Sequence, residues 1–332
     1  MGELFEMIIS RTPMRVSFLG GGSDFRDFYR ESYGAVVSTA INKYVYVIIN
    51  PRPDKLSRLV YSKTELVSSV EEIRHEVIRE AFKLLGIKTG IDVFYISDVP
   101  VAGGGTGLGS SAAFVVGTLK ALYAYLGEEV SPERLAKEAC QIELDILGWP
   151  VGKQDQYAVA YGGLNYFRFN ADESVIVKPI ELSSEAMERL RAHLLFLSTG
   201  LPSGSSSILS EQKNKIKDNL GNLISLVAMT DQLAVQLETD NFVELGALLH
   251  SNWLYKKQYA STISNSFLDQ CYQLALDAGA GGGKILGAGG GGLFLFYCST
   301  SAIKNQVRRV LPELKEFNFN FEKEGSKIVY AD

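Results

Sequence analysis

Cysteine is scarce in this chain: Cys140, Cys271 and Cys298 are the only three among 332 residues, and none lies in CxxC or Cys/His spacing. That excludes a disulfide framework and a structural zinc site, and it fits small core residues in a reducing compartment. Positive charge is short as well, with 33 Lys and Arg against 38 Asp and Glu for a formal net charge of −5. No basic field is available to attract nucleic acid or an anionic membrane, so neither is expected as a partner. No apolar run reaches the ~18 residues of a membrane span, and the opening MGELFEMIIS is acidic where a secretory signal is basic. A cytoplasmic location is therefore expected. Histidine is rare, and His75, His193 and His250 fall in no motif, so no catalytic role is assigned to them. The HRD and DFG sequences of protein kinases are missing.

Glycine, by contrast, is plentiful at 32 residues and strongly clustered. The run Gly103-Gly104-Gly105-Thr106-Gly107-Leu108-Gly109-Ser110-Ser111-Ala112-Ala113 joins a glycine loop to a helix start. Such a junction is a phosphate site in outline: glycines let backbone N–H groups approach an anion, and the first helical turn leaves N–H donors unpaired. Ser110 and Ser111 sit where hydroxyls cap a helix, bind phosphate oxygens or reach a metal. A plain glycine turn with a serine cap is the simpler alternative. Gly107 to Ala112 also satisfies G-x-G-x-x-A, but the acidic residues about twenty positions on, Glu128 and Glu129, close a helix instead of a second strand, which argues against a Rossmann unit. Gly279-Ala280-Gly281-Gly282-Gly283-Lys284-Ile285 is one residue short of a Walker A loop and lacks its Ser/Thr. A further run, Gly287-Ala288-Gly289-Gly290-Gly291-Gly292, is entropically costly to fold, which points to close approach of a backbone or a ligand.

The length and a hydrophobic fraction of 46% favour two domains. Strand-like patterns cover residues 7–10, 14–19, 35–50 and 91–96, and helical spacing covers 70–85, 112–126 and 132–147, the last opened by Ser131-Pro132 as cap and first residue. Beyond about residue 183 the pattern turns mostly helical, with 205–238, 242–259 and 266–278 as helices, 194–198 and 292–297 as strands, and 326–330 as a closing strand. This is an α+β chain with its boundary placed at 182/183.

Arg11-Thr12-Pro13-Met14-Arg15-Val16-Ser17-Phe18-Leu19-Gly20-Gly21-Gly22-Ser23-Asp24 resembles the first motif of the GHMP small-molecule kinases, named for galactokinase, homoserine kinase, mevalonate kinase and phosphomevalonate kinase. The loop ending in Ser110-Ser111 resembles their second motif, and Lys284-Ile285-Leu286-Gly287-Ala288-Gly289-Gly290-Gly291-Gly292 their third. The three occur in family order, and the resemblance covers essentially the whole chain. It implies an α+β fold of two domains, residues 1–182 related to a small ribosomal-protein domain and 183–332 ferredoxin-like, with ATP in the cleft between them. Within the family, RTPMRVSFLGGGSD, GWPVGKQDQYAVAYGG and TGLPSGSSSILSEQ look most like the heptose-phosphate kinase branch. The implied reaction is transfer of the γ-phosphoryl group of ATP to the anomeric hydroxyl of a sugar phosphate. A fucose- or galactose-type kinase, or a catalytically silent sensor of sugar and nucleotide, are the alternatives. The loop over residues 100–107 is longer than the usual family form. Ser203 stands where an arginine is expected in heptose-phosphate relatives, and Lys43, Arg52 and Lys178 are candidates for the substrate phosphate from charge alone.

Roles follow from the resemblance. Asp155 is the implied base and Arg15 the cation beside the transferred phosphate. Taken by itself, Asp155 reads as a loop residue capping a helix at 156–161. Gly103, Gly104, Gly105, Gly107, Gly109, Ser110 and Ser111 are implied to hold ATP, while Asp24, Gly21, Gly22, Gly289 and Gly290 face the substrate. Gly21 and Gly22 replace the Glu-His of galactokinase-like members, which argues against galactose. Glu143 stands out without any family: its helical neighbours Ala136, Ala139, Cys140 and Leu147 form a face built for burial, where a lone carboxylate is costly. A Mg2+ ion would resolve that cost, and the resemblance implies Glu143 with Ser110 or Ser111 as its ligands; an ion pair with Lys153 or Arg15 is the alternative. Partners are thus a sugar phosphate and ATP, with a homodimer left open.

Overall fold

Pro13 has no N–H to offer a strand ladder, yet Ile8–Leu19 forms a single strand, β1, in a computed structural model that describes residues 7–99, 107–203 and 206–332. The ladder to the next strand shifts register between Pro13 and Met14, so a bulge absorbs the proline and the two short strands expected here are one. Along the chain follow β2 (Gly34–Pro51), β3 (Ser57–Val60), β4 (Thr64–Val67), β5 (Ile91–Ser97), β6 (Leu164–Phe169), β7 (Val175–Pro179), β8 (Leu194–Ser198), β9 (Gly282–Ile285), β10 (Leu293–Tyr297), β11 (Lys315–Glu316) and β12 (Lys327–Ala331). The first sheet runs β12-β1-β2-β5-β3-β4, with β6 on the first half of β2 and β7 outside it; the second runs β11-β8-β10-β9. The expected boundary falls between β7 and β8, but β12 is antiparallel to β1. The last residues therefore belong to the first sheet and not to the second unit.

The helices are α1 (Arg26–Tyr29), α2 (Glu76–Leu84), α3 (Ser110–Tyr125), α4 (Pro132–Cys140), α5 (Gln154–Tyr161), α6 (Ser184–His193), α7 (Ser206–Asn214), α8 (Leu220–Glu238), α9 (Leu245–Tyr259), α10 (Ser266–Asp277) and α11 (Ser301–Val310). α3 is apolar on nearly every face, and most of its residues are buried. Gly117 lets it close on β1, since a Cβ there would lie 2.8 Å from Thr12 Oγ1. α8 and α9 reach β2 and β1 from the other unit, and one buried cluster runs from Ile8 through Leu249 to Tyr297. The two sheets thus share a core, and a cleft opens where they meet.

Three helices differ from expectation. The 70–85 segment is helical only over α2, after a 3-10 turn at Val70–Glu72, because the Glu65 carboxylate captures the N–H groups of Arg74 (2.7 Å) and His75 (3.1 Å). The 205–238 segment breaks over residues 215–219, where Asn219 Nδ2 donates to the Lys215 carbonyl at 3.0 Å. The helix begun at Pro132 changes at Gln141 into a π-helix, Gln141–Ile146, which carries Glu143. Such π turns are rare and frequently sit at functional sites.

Lys153, at the N-terminus of α5, is anchored by Glu173 of the β6–β7 turn, which also accepts from Tyr29 (2.8 Å) and Arg30 (3.0 Å). Burial raises the Glu173 pKa, but the hydrogen bonds from Lys153 and Tyr29 outweigh it and bring it to about 2 from 4.5. A depressed acid stabilises the fold above its unfolded pKa and loses that contribution as pH falls through the folded one. Glu173→Gln is expected to lower the melting temperature at pH 7, with the gap to the parent narrowing as pH falls below 4.5. Thermal unfolding across pH measures it, and a pH-independent gap would contradict the assignment.

Candidate active site

The side chain of Arg15 is 5% exposed although it carries a full charge. Its Nε donates to Asp155 Oδ1 at 2.7 Å and its Nη2 to Oδ2 at 2.6 Å, a bidentate fork, while Nη1 donates to the Gly107 carbonyl at 2.6 Å. The Arg15 N–H donates to the Leu108 carbonyl at 2.9 Å. One residue of β1 therefore grips both the second glycine motif and the start of α5. Asp155 lies inside the first turn of α5, so it is not the cap expected from its sequence context.

The glycines explain how the loops fit. Gly107 and Gly109 have φ of 77° and 73°, and Gly109 occupies the N-cap position of α3, so neither Ser110 nor Ser111 caps the helix. A Cβ on Gly287 would stand 2.4 Å from Gly107 Cα. The second and third motifs thus touch backbone to backbone. Gly289 and Gly290 do not reach the cavity wall: a Cβ on Gly289 would meet Ile263 at 3.0 Å, and the Gly290 N–H donates to the Ile263 carbonyl at 2.9 Å. Gly103, Gly104 and Gly105 lie outside the described residues.

A cavity of about 130 Å³ lies between the units, walled by Arg15, Gly21, Gly22, Asp24, Ser111, Glu143, Gln154, Asp155 and Gln156 on one side and Gln212, Asn252, Lys256, Tyr259, Lys284 and Gly287 on the other. Asp24 accepts from the Gly22 N–H (2.9 Å), the Gln154 N–H (3.1 Å) and Gln154 Nε2 (3.2 Å). Burial raises its pKa, with those backbone donors acting in opposition and the nearby Asp155 charge adding to the rise. Glu143 accepts from Gln156 Nε2 and, at 3.4 Å, from Ser111 Oγ. Desolvation pushes its pKa up to about 7, the Gln156 bond opposes this, and Asp155 adds to it. No cation pairs with Glu143 among the described residues, since Arg15 is committed to Asp155 and Lys153 to Glu173. That removes the ion-pair alternative and leaves a buried carboxylate beside a hydroxyl.

Two residues that sequence reasoning missed are Lys256 on α9 and Gln154 on α5; Lys284 was noted only as part of a glycine motif. Lys43, Arg52 and Lys178 are elsewhere, over Phe317, paired with Asp92, and paired with Glu238 respectively. Ser203 is buried, with Oγ 3.4 Å from the Gly289 carbonyl. Tyr259 Oη and Gln154 Oε1 have no hydrogen-bond partner among the described residues and border the cavity. The three histidines bind elsewhere, His193 to the Cys298 carbonyl and His250 to Tyr272, with His75 edge-on to Tyr61 and tilted against Phe114.

Residues 70–163 match the GHMP kinases N terminal domain and 233–315 the GHMP kinases C terminal domain. Over 96% of this chain and 98% of the relative, the sequence is 30% identical to a D-glycero-alpha-D-manno-heptose 7-phosphate kinase of Campylobacter jejuni. This chain is a GHMP kinase. A mevalonate kinase of Pyrococcus abyssi is 32% identical over 76% of the chain and 70% of its own length. In fold, this kinase superimposes with a TM-score of 0.79 on a D-glycero-D-manno-heptose 1-phosphate kinase from Bacteroides thetaiotaomicron, at 23% identity over 97% and 99% of the two chains. It is accordingly a phosphotransferase with an alcohol acceptor, and among its described residues no helix is long and apolar enough to cross a membrane.

Gly152 supports the cavity floor: a Cβ there would lie 1.9 Å from Asp24 Oδ2. Gly152→Ala is expected to displace the Asp24 carboxylate and destabilise the fold by roughly 1–3 kcal/mol, as overpacking does. Chemical denaturation measures it, and an unchanged midpoint would refute the packing.

Proposed function

We propose that this kinase transfers the γ-phosphoryl group of ATP to the anomeric hydroxyl of D-glycero-D-manno-heptose 7-phosphate, giving the 1,7-bisphosphate and ADP. The observation that carries the substrate is the match to the Campylobacter heptose 7-phosphate kinase, which combines 30% identity with 98% of that protein's length; the Pyrococcus mevalonate kinase is matched over 70% of its length, and a mevalonate kinase matched over 91% of its length is 26% identical. The polar cavity wall around Asp24 and Gln154 supports it, because a polyol offers hydroxyls to partner these groups.

Phosphoryl transfer needs an aligned nucleophile, neutralised charge and an acceptor for the hydroxyl proton. Arg15 holds both oxygens of Asp155 in one plane, and each oxygen keeps a lone pair for the substrate. The hydroxyl oxygen bonds to the γ-phosphorus, the bond to the bridging oxygen breaks and ADP leaves, while Asp155 takes the proton. Asp24, framed by Gly21 and Gly22, orients the sugar. The N-terminus of α3 with Gly107, Gly109, Ser110 and Ser111 holds the nucleotide phosphates, together with Gly103, Gly104 and Gly105. Glu143 with Ser111, and Ser110 beside it, suits Mg2+: the carboxylate is buried without a counter-charge. No cluster of three His, Cys, Asp or Glu exists among the described residues, as befits an ion that takes one or two carboxylates plus substrate phosphates. Bound there, Mg2+ neutralises phosphate charge.

ADP release with Mg-ATP and a panel of heptose 7-phosphate, sedoheptulose 7-phosphate, galactose, fucose and mevalonate tests the reading, with the product mapped by phosphorus NMR. Turnover on the heptose phosphate with a new anomeric phosphate is expected, and turnover on mevalonate alone would overturn it. Asp155→Asn should keep nucleotide affinity and lose about 10²–10⁴-fold in turnover; ordinary turnover would remove Asp155 from the base role. Glu143→Gln should raise the Mg2+ needed for nucleotide to stabilise the protein in a thermal shift, and a titration overlaying the parent's would disprove the metal assignment.

A further inference from the structure

Lys256 and Lys284 are buried lysines that face the cavity without any carboxylate partner among the described residues. Lys256 Nζ donates to the carbonyls of Ile285 (2.9 Å) and Gly287, and Lys284 Nζ to the Phe18 carbonyl (2.9 Å) and Asn252 Oδ1 (3.2 Å). Each ammonium has three donors and only two are engaged. A buried charge of this kind is costly unless something of opposite sign completes it. Burial pulls the Lys256 pKa down to about 7, with the Arg15 charge adding to the shift, and pulls Lys284 well below its ordinary value, with Lys256 and Arg15 contributing. The three carboxylates opposite are otherwise engaged: Asp155 by Arg15, Asp24 by Gly22 and Gln154, Glu143 by Gln156.

We propose that Lys256 is a receptor for a phosphoryl group in this cavity, with Lys284 as a second amine on the same wall. The wall formed by α9, β9 and the start of the third motif carries two amines that no carboxylate pairs with, while the wall opposite is acidic; a phosphorylated ligand favours the charged amines and joins the two walls. Among the described residues no other cation without a carboxylate partner lines the cavity. Ser203 supplies no charge, and Lys43, Arg52 and Lys178 lie outside. The anion is either the γ-phosphoryl group of the nucleotide or the substrate's own phosphate. Its identity rests on the kinase reading above, but the existence of the receptor does not.

The test measures binding to the full chain and to Lys256→Met and Lys256→Arg. Calorimetry compares AMP-PNP with ADP and heptose 7-phosphate with the unphosphorylated heptose, and thermal shift follows inorganic phosphate. In Lys256→Met one of the two affinity ratios should fall by about ten- to a hundredfold, the range for a lost charge-assisted hydrogen bond. The nucleotide ratio falls if the γ-phosphoryl group is bound, the sugar ratio if the substrate phosphate is. Phosphate should no longer stabilise the variant, and Lys256→Arg should restore most of each effect. A Lys256→Met protein with parental ADP affinity, both ratios intact and an unaltered phosphate response would overturn the proposal. If that variant fails to fold, 15N NMR of the lysine Nζ groups in the parent protein decides: phosphate must move the Lys256 signal, and an unmoved signal sinks the receptor. If heptose 7-phosphate does not bind the parent at all, the substrate reading fails while the phosphate and nucleotide arms still judge Lys256.

Discussion

Arg15 is a cation on a strand with almost no access to water, and three carbonyl or carboxylate acceptors converge on its guanidinium. Arg15 is buried while Asp155 is part-exposed, so removing the carboxylate would leave a desolvated guanidinium unpaired, at a cost below the ~3–5 kcal/mol of a fully buried pair. The fork therefore fixes more than Asp155. Through Gly107 and Leu108 it sets the path of the second motif into α3, and Gly107 in turn lies against Gly287 of the third. Three segments far apart in sequence are held at one point by one side chain and two missing Cβ atoms.

Around that point the cavity keeps charges apart that water or pairing would otherwise neutralise. Asp24 and Glu143 have pKa values raised by burial, and Lys256 and Lys284 have theirs lowered. Both directions express the same cost, that of holding a charge in a desolvated site with its opposite out of reach. In the proposed reaction a nucleotide, a divalent cation and a phosphorylated sugar would bring the missing charges. Groups fixed before substrate arrives need no reorganisation during transfer, which is how such sites lower a barrier.

Much of this was legible in the chain. The strands at 35–50 and 91–96 and the buried helix after the glycine loop follow from β-branched runs and from the lack of any polar face. Glu143 betrayed itself as a carboxylate on an apolar face, and it is buried as that pattern requires. What the chain hid depends on distant contacts. Nothing local announces that Glu65 takes the N–H groups ahead of α2, or that residues 327–331 return to pair with β1. Lys256 was invisible because KK on a helix reads as a solvated end; only the packing of α9 against β9 shows that Lys256 faces inward while Lys257 pairs with Asp269 at the surface. Gly289 and Gly290 match a family motif; the small size of Gly289 serves contact with Ile263, and Gly290 meets the same residue through its N–H.

Whether the Arg15–Asp155 fork receives the acceptor hydroxyl is decided by a crystal structure of the complex with AMP-PNP, Mg2+ and heptose 7-phosphate. The anomeric hydroxyl should lie within hydrogen-bond distance of an Asp155 oxygen, with Arg15 still forked to that carboxylate. A sugar whose anomeric carbon faces away from Asp155, or a carboxylate released from Arg15 and turned from the substrate, would refute that role for the fork.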